Sequence, residues 1–204
     1  MADLDHRIGA LILAGGASAR MGRAKALLEW RGRSFVAAGV ELVRAAGCAP
    51  VIVIDGTHRL DPELPELAGI ELAHNEQWEL GPLASMQVGL RRALALEPAL
   101  AGLLTHHVER PRVRVETIAA LVAAFLEQPD LLWQPSVGGR SGHPMLWPRA
   151  LFEPLLALDP AHESARTLVR GPAAGLRRKL EVDDLGVLDN IDTPADLARL
   201  HEGQ

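Results

Sequence analysis

One cysteine, Cys48, is present in the 204 residues, so an internal disulfide and a cysteine-based zinc site are both excluded. A reducing compartment fits this usage. No apolar stretch reaches the length of a membrane-spanning helix, and Met1 to Arg7 lack the apolar core of a secretory leader. A cytoplasmic protein is expected, with no membrane partner. A basic excess is also missing: the formal net charge is −5, with 23% charged residues, which gives no electrostatic footprint for nucleic acid. Any anionic ligand must therefore be held by local cations. What the chain has in quantity is apolar residues, 48% of the total, which suits one folded domain with a full core over residues 1–204. Internal repeats, low-complexity tracts and a domain linker are not seen.

The chain is organised around residues 10 to 28. Ile8 to Ala14 form an apolar run of the length of a buried parallel strand. The run breaks into Gly15-Gly16, small residues, Arg20, Gly22 and Lys25. Open α/β sheets place ligands where a buried strand ends in a glycine loop. Glycine lets the main chain come close to a phosphate, and Arg20 and Lys25 add one forked cation and one mobile point charge. Two common phosphate loops do not fit. Five residues separate Gly16 from Gly22, and Lys25 follows three residues later, which is not P-loop spacing; Gly-x-Gly-x-x-Gly is also absent here. A plain glycine turn with solvated cations is the competing reading.

Beyond the loop, hydrophobic periodicity predicts a helix from Ser34 to about Ala46 and strands at Pro50–Asp55 and Gly69–His74. It then predicts a helix from Pro82, a strand from Leu100 to Val108, a helix over Val115–Glu127 and a strand from Asp130 to Val137. Gly138 to Gly142 read as a flexible loop. Helices near 149–158 and 164–169, short strands near Leu180 and Val187, and a helix from Pro194 complete the pattern. The alternation implies a mostly parallel sheet with helices on both faces. His106 and His107 are adjacent in a strand and so point to opposite faces, one inward and one available to a cleft.

The string Leu13-Ala-Gly-Gly-x-Ser-x-Arg-Met-Gly-x-x-Lys-x-Leu28 resembles the signature loop of the MobA-like NTP transferases, and later segments continue the resemblance in order over about residues 8–200. It implies a single Rossmann-like three-layer α/β domain of the nucleotide-diphospho-sugar transferase type. It also implies Mg²⁺-dependent nucleotidyl transfer from CTP or GTP to a phosphorylated, molybdopterin-like acceptor. A protein partner could then receive the product.

The resemblance assigns roles residue by residue. Leu13, Ala14, Gly15 and Gly16, with Arg20 and Lys25, would hold the NTP phosphates and the leaving charge. Trp78-Glu-Leu-Gly-Pro-Leu-Ala-Ser85-Met-Gln-Val-Gly89 matches the second nucleotide segment, with Ser85 near base and ribose; Asn75, at a strand end, could read a base or close a turn. Glu109 in Val108-Glu-Arg-Pro stands where the family usually has an Asp that binds metal. A surface Glu109–Arg110 pair is the alternative. Ser141-Gly-His143-Pro matches an element near the acceptor, where Arg140 and His143 could hold a phosphate, and Glu163-Ser-Ala-Arg166 matches a later one.

In Asp189-Asn190-Ile-Asp192-Thr-Pro-Ala-Asp196, residues Thr193, Pro194 and Asp196 are explained by helix capping. Asn190 and Asp192 remain as candidates for a second metal ligand, Asn190 slightly ahead. The Gly-His-Pro element favours CTP and Leu-Ala-Gly-Gly favours GTP, so the base stays open. A sugar-1-phosphate acceptor is the runner-up, and Glu109 leaves open a non-catalytic nucleotide-binding relative.

Overall fold

The computed structural model describes residues 7–18 and 20–202. Ala19 and the two ends of the expected 1–204 domain lie outside the described residues. In chain order come β1 (Ile8–Leu13), a 3-10 turn at Lys25–Leu27, the small hairpin β2 (Glu29–Trp30) and β3 (Arg33–Ser34), α1 (Phe35–Ala45), β4 (Val51–Asp55) and β5 (Glu71–His74). They are followed by α2 (Pro82–Leu96), β6 (Gly102–His107), α3 (Val115–Glu127), β7 (Leu132–Val137), β8 (Arg140–Ser141) and β9 (Met145–Pro148). The chain then forms α4 (Phe152–Ala157), α5 (Ala165–Arg170), β10 (Arg177–Glu181), a 3-10 turn at Leu185–Leu188 and α6 (Pro194–Glu202).

The main sheet runs β10-β7-β9-β6-β1-β4-β5, with β8 paired to β7. All pairings on the β6-β1-β4-β5 side are parallel, and β9 lies antiparallel between β6 and β7. The period of two along the strands divides the core. Ile8, Ala10 and Ile12 of β1 join Val51 and Val53 on one face, beneath α1 and α3; Leu11 and Leu13 join Ile52 and Ile54 on the other, beneath α2, α4 and α5. This is the three-layer arrangement with a mostly parallel sheet that the sequence implies. Gly89 lets α2 sit close to the sheet, because a Cβ there would lie 2.9 Å from Leu11 and Ile54.

Three local expectations are corrected. Gly138 to Gly142 form a tight hairpin: Gly138 and Gly139 have φ of 56° and 75°, the left-handed geometry of a two-residue connection, and β8 pairs back on β7. The segment near Val187 is a 3-10 turn, held by Asp184, whose side chain accepts from Gly186 N at 3.0 Å. Met145–Pro148 is a fully buried strand that periodicity did not separate from its surroundings. Asp184 is buried and also accepts from Arg114 N (2.9 Å) and Thr117 Oγ1 (2.6 Å), which fastens the C-terminal segment to the start of α3. α6 opens as expected from its capping pair: Thr193 N donates to Asp196 Oδ2 at 2.8 Å, and Asp196 N donates to Thr193 Oγ1 at 3.2 Å.

Candidate active site

β1 ends in the glycine loop, and the loop folds around one serine. Ser18, at φ 51°, accepts through its carbonyl from Met21 N (2.8 Å) and Gly22 N (3.2 Å), and through its Oγ from Lys25 N (3.1 Å). This closure turns Lys25 back over the end of β1, at the head of its 3-10 turn. Gly15 is packed: a Cβ there would lie 3.3 Å from Asp55 O and from Ser85 Oγ. Gly16 has open space where a Cβ would be, so its main chain faces room for a ligand.

The cations do not stand alone. Lys25 Nζ forms an ion pair with Asp192, Arg20 approaches the same carboxylate at 3.2 Å, and Asn190 donates its side-chain amide to it. Residues nearly 170 positions apart are joined because the loop after β6 holds the C-terminal segment. Ile191 N donates to Glu109 O at 3.0 Å, and Arg110 donates to the carbonyls of Val187 (2.9 Å) and Asp189. Four motif segments thus meet at the carboxyl ends of β1 and β6.

Glu109 forms no ion pair with Arg110 among the described residues; one terminal nitrogen of Arg110 donates to these carbonyls instead. Its carboxylate lies 3.5 Å from His107 Nδ1 and is 22% exposed. Burial pushes the acid up. The His107 hydrogen bond and charge, a backbone N–H and the Lys25 charge outweigh burial and hold it at about 2. Glu109 is therefore an anion at any working pH. His106 points to the opposite face, fully buried against α1, where a Cβ on Gly39 would lie 3.3 Å from its ring.

Two cavities share His107 and Pro82. The smaller, about 120 Å³, is lined by Leu13, Ala14, Gly15, Gly16, Ser18, Lys25, Ser85 and Glu109, among others. The larger, about 640 Å³, is lined by Arg110, Gln134, Ser141, His143, Arg166, Arg170 and Arg177 over a floor that includes Met86, Met145 and Trp147. Ser85 and the loop residues therefore meet in one place, and His143 and Arg166 in the adjoining one.

Asn75 lies beneath the surface, 1% exposed. Its Oδ1 accepts from Gln77 N (3.0 Å), and its Nδ2 donates to Ser85 Oγ (3.0 Å), so it closes the turn and braces Ser85. Arg140 is exposed on the β8 hairpin and lines neither cavity. Gln134, Arg170 and Arg177 line the larger cavity without having been singled out from sequence.

His143 stacks edge-on to His107, with ring centroids 4.9 Å apart, and its Nδ1 is buried without a protein partner. Burial and the neighbouring His107 push His143 down to about 3, and burial with the same neighbour does so for His106. Both fall below the ordinary histidine value, so the folded protein binds fewer protons than the unfolded chain across this range. Stability present above pH about 6.5 is expected to fall as pH drops towards 3, by on the order of 1–2 kcal/mol per histidine by pH 5. Urea midpoints at pH 7.5 and pH 5 check this; an unchanged midpoint contradicts it.

Among the described residues no group of three or more His, Cys, Asp and Glu is arranged to hold a metal ion. Mg²⁺ commonly uses one or two carboxylates and takes its remaining ligands from phosphate and water. The ionised Glu109 beside the glycine loop, with Asp192 and Asn190 next to Lys25, offers a hard-oxygen set that fits this mode. No helix among the described residues is long and apolar enough to cross a membrane.

The MobA-like NTP transferase domain matches residues 10–181. The molybdenum cofactor guanylyltransferase of Rhizobium meliloti (strain 1021) is 32% identical over 197 residues, which cover 92% of this chain and 88% of that protein. The crystal structure of Rv0371c from Mycobacterium tuberculosis H37Rv superimposes with a TM-score of 0.78 at 27% identity, covering 96% of this chain and 97% of the other. A manganese complex of Rv0371c superimposes with a TM-score of 0.72 at 24% identity, covering 97% of this chain and all of the other. With the family's domain spanning residues 10–181 and a relative 32% identical over 92% of the chain, this protein belongs to the MobA-like NTP transferase family.

Proposed function

We propose that this protein is a nucleotidyltransferase that moves a nucleoside monophosphate from CTP or GTP to a phosphorylated, molybdopterin-like acceptor in the cytoplasm. The observation that carries the reading is that Lys25 lines the small cavity together with Glu109 and is itself paired with Asp192, the carboxylate that Arg20 and Asn190 also reach; that cavity adjoins an arginine-lined one through His107 and Pro82. The similarity to a molybdenum cofactor guanylyltransferase supports the acceptor class.

In this reading a phosphate oxygen of the acceptor attacks the α-phosphorus of the NTP, the bond from the α-phosphorus to the bridging oxygen breaks, and pyrophosphate leaves. Gly15 and Gly16 amides, Arg20 and Lys25 stabilise the β- and γ-phosphates and the charge that grows on the leaving group. Ser85, braced by Asn75, faces the nucleoside. His143 and Arg110 border the acceptor side; His143 Nδ1 and Arg110 Nε are buried there without protein partners, a cost that a ligand's polar atoms would relieve.

Glu109 with Asn190 or Asp192 would hold Mg²⁺, which supplies Lewis-acid polarisation of the phosphates when bound. The manganese complex of Rv0371c is consistent with a divalent ion in this fold. The product could then pass to a protein partner.

Pyrophosphate release tests the reading, with CTP or GTP, Mg²⁺, and either molybdopterin or a sugar 1-phosphate as acceptor. Release with molybdopterin is expected. NTP binding without release for any pairing would instead identify a nucleotide-binding module.

A further inference from the structure

The larger cavity carries charge in excess of what one acceptor phosphate needs. Four arginines line it, Arg110, Arg166, Arg170 and Arg177, and no Asp or Glu is among the described residues on its wall. This occurs in a chain of net charge −5. The arginines fall into two sets. Arg110 follows β6, beside His107, one of the two residues shared with the small cavity. Arg166 and Arg170 belong to α5 and Arg177 to β10, at the far edge of the sheet. Neighbouring strands lie about 4.8 Å apart, so the three steps from β6 through β9 and β7 to β10 cover roughly 14 Å.

Arg177 is held in place. Its Nε and one terminal nitrogen donate to Gln134 Oε1 at 2.9 and 2.6 Å, and that same nitrogen donates to Ser141 Oγ at 2.6 Å. Gln134 is buried, and its own orientation is fixed because Nε2 donates to Gly142 O at 2.8 Å. The remaining terminal nitrogen of Arg177 has no acceptor among the described residues. Arg166 and Arg170 are exposed on α5, without an ion pair among the described residues. A fixed guanidinium accompanied by two exposed ones on the same cavity wall suits a planar or tetrahedral anion. The lining also includes apolar Met86, Met145 and Trp147, the last two on β9, the strand between β6 and β7.

The geometry points to a second anion subsite, formed by Arg166, Arg170 and Arg177 with Gln134 as the positioning residue, so that the acceptor carries two separated anionic groups on an apolar or aromatic body. The inference rests on the nucleotidyl-transfer reading, in which the first anion is the attacking phosphate at the Arg110 end. A neutral polyhydroxyl acceptor bearing one phosphate would leave the far arginines without a counter-charge and the apolar floor against hydroxyl groups.

Calorimetric titration with 2-naphthyl phosphate and with its 6-sulfonate tests it, because the two probes differ only in the second anion. The sulfonate is expected to tighten binding at least tenfold in the parent protein. That gain should shrink to about twofold or less in Arg177→Gln and in the doubly substituted Arg166→Gln, Arg170→Gln protein, while 2-naphthyl phosphate itself binds each about equally. The double variant alters exposed positions on α5 and keeps the test valid if Arg177→Gln disturbs β10. Gln134→Leu should reduce the gain without removing a charge, an effect that loss of charge alone does not explain.

Equal binding of the two probes by the parent, or a full gain surviving in the double variant, overturns the subsite. NTP binding is measured alongside. If NTP binds but the sulfonate adds nothing, only this inference fails. If neither NTP nor 2-naphthyl phosphate binds, the nucleotidyl-transfer reading fails with it.

Discussion

Glu109→Gln is expected to lower metal-dependent pyrophosphate release by about 100-fold or more, while Glu109→Asp retains or raises it. Polarisation of a phosphoryl oxygen by a bound metal contributes several kcal/mol, and each 1.36 kcal/mol is tenfold in rate. Mg²⁺ prefers anionic oxygen, and an amide offers only a dipole. The charge at stake is secure in the parent, since His107, a backbone N–H and Lys25 hold the acid at about 2 despite burial. Aspartate keeps that charge on a shorter stem.

A merely structural Glu109 predicts near-silence from both changes. A decayed site predicts an inactive parent and a gain in Glu109→Asp alone. Pyrophosphate release from the three proteins across a Mg²⁺ titration separates these outcomes; equal rates for parent and Glu109→Gln remove Glu109 from the mechanism.

Lys25→Ala should cost about 100-fold in kcat/KM, the scale of losing one preorganised charge from a developing-anion site. The loss should be divided between weaker NTP binding and slower transfer, because on the proposed reading the ammonium would meet the phosphates before and during bond cleavage. Lys25 suits this role through its setting: it is only 16% exposed, anchored at its N–H by Ser18 and over the glycine loop that lines the small cavity. Lys25→Arg is not expected to restore the parent rate, since a planar fork does not reproduce a compact point charge. Kinetics at sub-saturating NTP, together with nucleotide affinity without metal, measure both parts. Full activity of Lys25→Ala at low NTP would remove the phosphate-loop assignment.

The sequence was most legible where local chemistry and tertiary role coincide. β1 reads as an apolar run because both its faces are buried, and its glycine loop announces a ligand end. α3 reads correctly over Val115–Glu127 because a single face carries Ile118, Leu121 and Phe125 into the core. β9 escaped because four buried residues, Met-Leu-Trp-Pro, have no alternation to separate them from a helix turn; only the gap between β6 and β7 makes them a strand.

Paired glycines at 138 and 139 did carry a hairpin signal, read instead as flexibility. In the candidate site, motif spacing named the loop, Glu109 and the closing segment without saying that they touch. That Asp192 would sit on Lys25 depends on backbone clasps from the β6 loop to residues 187–191. Arg177 was hidden in a basic run, Arg177-Arg178-Lys179, which looks like a solvated face until strand pairing sets it opposite Leu132, beside Gln134.

The carboxylate of Asp192 already holds Lys25 and Arg20, the two cations proposed to receive the phosphates. In the proposed function, nucleotide entry would be an exchange of anions, in which one internal charge yields to several incoming ones. A lone phosphate or a stray carboxylate gains little from such a swap, because it replaces like with like and adds the cost of immobilisation. A triphosphate brings more charge than the incumbent can match. The same pairing spares Lys25 from standing as a naked cation at the partly buried end of the sheet, where solvation would be poor. On the proposed reading, selectivity for polyanions over monoanions would follow from the carboxylate already paired with Lys25.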